Sequence, residues 1–281
     1  MRTVTRPKLG KVYFVGAGPG DVDLITVKGV KALEQADCII YDRLVNKELL
    51  HYGRTGVELI YCGKAPQQHT LRQEEINQLL VEKARRGKKV VRLKGGDPAL
   101  FGRVGEEAAY CAQYGIPFEI IPGVTSGVAA PAYAGIPLTH RSFSSSVAFV
   151  TGHKQKNGAG PAVRWDQLAT GVDTLVIYMG ISQLELICQE LIQHGRPAAT
   201  PVALIRWGTL AKQKTLVGTL ESIAAQAEQA RFEAPAIIVV GEVVRLRDSL
   251  AWFEEQFKCG VNHTWEPEEL YPPLVAVRSG S

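Results

Sequence analysis

Two glycine-rich turns hold the residues of this 281-residue chain best suited to chemistry. The first, Gly16-Ala17-Gly18-Pro19-Gly20-Asp21, follows the apolar run Val12-Tyr13-Phe14-Val15. Glycines at such a place let the backbone come close to a phosphate or another polar ligand. The spacing departs from the dinucleotide fingerprint: the third glycine comes one residue early, and Pro19 removes a backbone donor. Asp42 stands at a plausible distance for a ribose acceptor, yet a tight turn without ligand fits the same residues equally well. The second turn, Gly95-Gly96-Asp97-Pro98, also follows an apolar run. Its glycines open the backbone to a ligand, and Asp97 offers a carboxylate to a ribose or a cation; an Asp-Pro turn is the plainer reading. His140 and His153 have no second ligand at metal spacing, so local hydrogen bonding is the expected role. Met179 ends a strand, where it either packs on a cofactor or belongs to the core. The run Arg85-Arg86-Gly87-Lys88-Lys89 closes a helix, where positive charge offsets the macrodipole.

The elements that must position these residues alternate between strand and helix. Apolar runs predict strands at 12–15, 38–41, 57–61, 90–93 and 118–121, and then, from near residue 145, at 147–150, 174–178, 202–205 and 236–240. Residues 213–220 alternate less cleanly and read as a hairpin or edge strand. Asp23 is the expected cap of a helix carrying Leu24, Val27, Val30 and Leu33. Thr70 with Gln73, and Ser182 with Glu185, read as capping boxes, the latter for a helix burying Leu184, Ile187, Cys188, Leu191 and Ile192. Further helices are expected up to Tyr114, at 221–230 and at 249–257. The strands of the first half are near-continuous apolar runs, as parallel strands covered on both faces should be.

Composition narrows the class. A hydrophobic fraction of 46% with 21% charged residues supports a sizeable core and excludes disorder over most of the length. The formal charge of +4 is too mild for a nucleic-acid binder and compatible with an anionic small molecule. The five cysteines form no CxxC pair, so neither a disulfide framework nor a zinc knuckle is expected, and the metal expectation is none. No apolar run approaches the ~18 residues of a membrane span, and the basic N-terminus lacks a signal-peptide core. These features together predict a cytoplasmic protein.

Longer motifs carry a resemblance. Val15-Gly16-Ala17-Gly18-Pro19-Gly20-Asp21 followed by Leu24-Ile25-Thr26 resembles the opening motif of the tetrapyrrole methylases. Val91-Arg92-Leu93-Lys94-Gly95-Gly96-Asp97-Pro98 followed by Phe101-Gly102-Arg103 resembles their second motif. Pro122-Gly123-Val124-Thr125-Ser126, Gly135-Ile136-Pro137-Leu138-Thr139-His140-Arg141 and Val150-Thr151-Gly152-His153 are similar to the uroporphyrinogen-III C-methyltransferase branch, as are Tyr178-Met179-Gly180 and Gly208-Thr209. The resemblance covers roughly residues 10–250.

The resemblance implies two α/β domains with S-adenosylmethionine (SAM) held in the cleft between them, within a homodimer. The expected division is 10–138 and 139–258, followed by a poorly ordered tail at 259–281. The substrate would be uroporphyrinogen III, methylated at C2 and C7 to precorrin-2, with S-adenosylhomocysteine as the other product. Carried over by motif, the SAM contacts would be Pro19, Gly95, Gly96, Asp97, Leu100, Thr125, Ser126, Met179 and Gly208. The proton acceptor falls on Asp42 and the proton donor on Lys64, each just after a strand. Arg103 and Arg141 match the substrate side, Arg103 also among the catalytic residues, and arginine suits bidentate carboxylate recognition. Plainer readings are a turn cap for Asp42, a solvated loop charge for Lys64 and surface ion pairs for the arginines. The alternatives in function are another precorrin methylase, a relative acting on ribosomal RNA or a diphthine precursor, and a nucleotide-binding oxidoreductase built on the first turn. The length is filled by the two expected domains, so a separate protein would take precorrin-2 onward.

Overall fold

Val12, Phe14 and Val15 are fully buried, as a strand covered on both faces requires. They lie in β1 (Lys11–Gly16) of a computed structural model that describes residues 9–63, 71–152 and 163–254. α1 (Val27–Glu34), β2 (Cys38–Tyr41), β3 (Glu58–Tyr61), α2 (Gln73–Arg85), β4 (Lys89–Lys94), α3 (Val104–Gln113), β5 (Phe118–Ile121) and α4 (Ser126–Tyr133) complete the first half. The second contains β6 (Val147–Thr151), α5 (Trp165–Gly171), β7 (Thr174–Tyr178), α6 (Leu184–Gln193), β8 (Pro201–Arg206), β9 (Lys214–Thr219), α7 (Ile223–Gln229), β10 (Ala236–Val240) and α8 (Arg247–Leu250).

Two five-stranded sheets result, each with helices packed on it, and the chain is a two-domain α/β protein. The first sheet has the order β3-β2-β4-β1-β5 and is parallel throughout. All its strands therefore deliver their carboxyl ends to one edge, where open α/β sheets bind ligands. The second has the order β6-β7-β10-β8-β9 and is mixed. β6, β7 and β8 run one way, β9 and β10 the other. The hairpin expected at 213–220 is β9, an edge strand antiparallel to β8.

The first sheet is covered on both faces. Val12, Phe14, Ile40 and Val90 pack with Leu80 of α2 and Cys111 of α3, while Val15, Ile39, Val91 and Leu93 pack with Leu33 of α1. Burying a side chain of this size stabilises by about 1.5–3 kcal/mol, so these layers hold the turns in place. α6 buries Leu184, Ile187, Cys188 and Leu191, with Ile192 packed beside them, as its spacing predicts.

Several helix starts differ from expectation. Asp23 caps nothing: Asp21 accepts the Asp23 N–H at the head of a single 3-10 turn, and Thr26 caps α1 by accepting the Gly29 N–H at 3.1 Å. Ser182 lies inside a 3-10 turn, so α6 starts two residues later, at Leu184. α2 begins after Arg72, whose N–H donates to Glu75; Thr70 lies outside the described residues. The helix expected at 249–257 breaks, because Ala251 is extended at φ −61° and ψ 123° after α8. The tail at 259–281 lies outside the described residues. α4 and α5 are additional to expectation. α4 buries Gly127, Ala129, Ala130 and Pro131, small residues that make no one-sided stripe of large apolar side chains.

Candidate active site

The turns after β1, β4 and β5 are tied to one another. The Gly18 N–H donates to Gly96 O at 3.3 Å, the Gly96 N–H returns to Gly18 O at 2.7 Å, and the Ala17 N–H donates to Lys94 O at 2.8 Å. A Cβ at Gly123 would lie 2.5 Å from Gly96 O and 2.7 Å from Gly16 Cα, so only glycine permits this approach. Asp97 closes the knot: Oδ1 accepts the Ala99 N–H at 2.7 Å and Oδ2 the Gly123 N–H at 3.0 Å. The Asp-Pro turn is thus formed, and the same carboxylate joins two loops.

The second sheet meets this knot with the ends of β7 and β8. The Tyr178 hydroxyl accepts the Gly127 N–H at 2.7 Å and lies 2.7 Å from Thr125 Oγ1. Its ring packs on Phe101, centroids 5.0 Å apart. The Asp21 N–H donates to Thr209 Oγ1 at 3.0 Å, and the Tyr133 hydroxyl donates to Asp21 Oδ2 at 2.9 Å. A Cβ on Gly208 would run into Ala130. Pro19, Gly95, Gly96, Asp97, Leu100, Thr125, Ser126, Met179 and Gly208 all belong to these turns or pack directly behind them. Leu100 sits against the cluster of Val176, Tyr178 and Ile205.

Backbone strain concentrates here. Six non-glycine residues of the described chain have positive φ, and five of them are Phe101, Arg103, Met179, Trp207 and Thr209. Each such conformation costs of order 1–3 kcal/mol and gathers where a ligand site demands it. Met179 is 52% exposed at φ 54°, an apolar side chain held open at the junction rather than a core residue. Phe101, Trp207 and Thr209 carry no propensity signal for this geometry, so it is not legible in the sequence.

Asp42 ends β2 on the same edge. Its loop is tied to the first turn by Asn46 Nδ2, which donates to Gly20 O at 2.9 Å. Arg92 Nη2 donates to Asp42 Oδ1 at 2.6 Å, and the Cys62 thiol donates to the same oxygen at 3.3 Å. Arg92, Lys94 and Glu107 are nearly or fully buried. Lys94 Nζ donates to both Glu107 oxygens, at 2.9 and 3.0 Å, and Arg92 Nε donates to Oε1 at 3.3 Å. Burial works against the Arg92 charge, but Asp42 and Glu107 together outweigh it and hold its pKa above the ordinary value. Lys94 is pulled below the ordinary lysine value, first by burial and then by Arg92. Burial pushes the Cys62 thiol up to about 12. Glu107 was missed because nothing in its helix distinguishes it from a solvent-facing glutamate.

Among the described residues, Arg103 and Arg141 share no hydrogen bond with this network. Arg103 is half exposed and forks onto Glu106, at 2.9 and 2.5 Å. Arg141 lies exposed on the turn between His140 and Ser144, which exchange backbone hydrogen bonds. His140 Nδ1 accepts the Ser142 N–H and the ring stacks on Phe143, the local role expected. Lys64 and His153 lie outside the described residues.

The arrangement offers close-packed glycine turns, exposed apolar side chains at Phe101 and Met179, and a carboxylate fixed by a buried cation. Residues 11–224 match the family described as tetrapyrrole (corrin/porphyrin) methylases. The chain is 60% identical over 236 residues to the uroporphyrinogen-III C-methyltransferase of Priestia megaterium, covering 84% of this chain and 99% of that one. It is 53% identical to the siroheme synthase of Azotobacter vinelandii over 246 residues, 88% of this chain and 53% of that protein. Among solved structures it is similar to a uroporphyrin-III C-methyltransferase from Thermus thermophilus complexed with S-adenyl homocysteine. That likeness has TM-score 0.71 and 38% identity over 84% of this chain and all of that one. With the double-sheet fold, the strained turns and these similarities in hand, the chain belongs to the tetrapyrrole methylase family.

Proposed function

We propose that the protein is a SAM-dependent C-methyltransferase converting uroporphyrinogen III to precorrin-2 by methylation at C2 and C7. The observation that carries this reading is the junction itself: strained turns from both sheets converge there, and the loop after Asp42 is tied to the first turn through Asn46. The residues present suit SAM. Close-packed glycine turns expose backbone groups to polar parts of the ligand, and Met179 and Phe101 offer open apolar surface. Pro19, Gly95, Gly96, Asp97, Leu100, Thr125, Ser126, Met179 and Gly208 would hold it. Bound SAM supplies an electrophilic methyl group on a sulfonium.

The protein's own task is to place a pyrrole α-carbon in line with that methyl group, where positioning supplies much of the rate. The ring nitrogen pushes electrons toward the α-carbon as the new C–C bond forms and the sulfur–methyl bond breaks, its electron pair staying on the sulfur of the departing S-adenosylhomocysteine. Asp42 accepts the proton released afterwards, and Lys64 serves as proton donor. Arg103 and Arg141 pair with substrate carboxylates, Arg103 exchanging Glu106 for the ligand. Residues 10–138 and 139–258 form the two domains, which accords with β1–β5 lying within 11–121 and β6–β10 within 147–240.

The protein is further read as a cytoplasmic homodimer. Cys38, Cys62, Cys111 and Cys188 are free, buried thiols, as a reducing compartment allows. Phe118 and Ile120 stand exposed on edge strand β5, which suits a second copy. The test mixes the protein with SAM and uroporphyrinogen III without oxygen. The expected product is heavier by two methyl groups. Transfer to a different precorrin, with none to uroporphyrinogen III, would move the assignment to another methylase of this fold.

A further inference from the structure

Glu107 is a fully buried carboxylate in the first turn of α3, and four hydrogen bonds converge on it. Gln73 Nε2 at 3.0 Å joins the two from Lys94 and the one from Arg92. A buried charge of this kind is expensive and is a weak source of stability even when paired, so what this network offers is orientation. The geometry shows what is oriented. Arg92 lies in β4 with its guanidinium spanned between two carboxylates: Nε on Glu107 and Nη2 on Asp42. Its remaining nitrogen, Nη1, reaches the carbonyls of Ile40 and Leu93, at 3.4 and 3.5 Å. Lys94 supplies a second cation, so the four groups carry two positive and two negative charges.

We propose that Glu107 is a positioning residue for methyl transfer, which acts through Arg92 to fix the orientation of Asp42. Glu107 is fully buried and offers no surface to a ligand; it anchors one end of a rigid planar fork whose other end grips the proton acceptor. The inference rests on the reading of Asp42 as that acceptor. Gln73 extends the same chain to the start of α2, so two helices and β4 brace one carboxylate.

The test compares wild type, Glu107→Gln and Asp42→Asn for kcat and KM with uroporphyrinogen III, alongside S-adenosylhomocysteine affinity by calorimetry. In Glu107→Gln, kcat is expected to fall ~10- to 100-fold, the scale of a misplaced catalytic group. KM and S-adenosylhomocysteine affinity should stay within about threefold, since binding groups are untouched. Where Glu107→Gln does not fold, the charge-balanced pair Lys94→Met with Glu107→Gln carries the test, with the same kcat loss expected. A folded variant with wild-type kcat overturns the proposal, as does a variant losing kcat and cofactor affinity in parallel. Asp42→Asn with wild-type kcat overturns the reading of Asp42 and this proposal with it. Loss in Asp42→Asn beside unchanged Glu107→Gln overturns this proposal alone.

Discussion

Asp97 has two demands on one carboxylate. It closes its own turn on Ala99 and reaches 26 residues along the chain to Gly123. Replacing it by alanine leaves two backbone donors to be satisfied by water. We expect Asp97→Ala to remain folded, to lose about 1–3 kcal/mol of stability in urea melts, and to bind S-adenosylhomocysteine much more weakly. Unchanged affinity by calorimetry would remove Asp97 from the SAM site. Asp97 and Asp42 were legible in the sequence, because glycine, proline and charged residues after apolar runs announce strand ends; Arg103 and Arg141 were implied by the resemblance of their motifs. Glu107 was not legible. Its partners come from α2 and β4, and its burial is decided by them.

At the scale of elements, β3 is clamped to the end of α2 by Glu58, which pairs with both Lys83 and Lys88. Hydrogen bonds from these lysines, foremost Lys83, hold the Glu58 carboxyl at about 2, below an ordinary 4.5. A depressed carboxylate stabilises fully above 4.5, and that contribution disappears as pH falls from 4.5 to about 2. Wild type should therefore exceed Glu58→Gln in urea midpoint at pH 7, by no more than ~1 kcal/mol after solvent screening. The gap should close on acidification across that window. A gap independent of pH would remove the clamp from the account. The strands and α6 were legible through apolar periodicity. α4 was not, because Gly127, Ala129 and Ala130 are buried by close approach to β7 and β10 rather than by a stripe of large side chains.

At the scale of the molecule, the two halves join through α4 packed on β7, β8 and β10, and through specific polar groups: Tyr178 on Thr125 and Gly127, and Thr209 on Asp21. A ligand bridging this junction must order both sides at once. Hydrogen exchange with S-adenosylhomocysteine is expected to protect 16–21, 95–101 and 122–127 together with 178–180 and 207–210. Protection confined to the first sheet would place the ligand outside the junction. Sedimentation should give twice the chain mass; a single-chain mass would set aside the homodimer.

By itself, the sequence determined the alternation of strand and helix and the positions of the chemically capable turns. Both are local: apolar period and turn chemistry are written in neighbouring residues. Tertiary structure alone decided that the second sheet is mixed, that Phe101, Met179, Trp207 and Thr209 adopt left-handed backbone, and that Glu107 is buried. Each of these depends on contacts between segments far apart in the chain, whose energies no short window of residues contains.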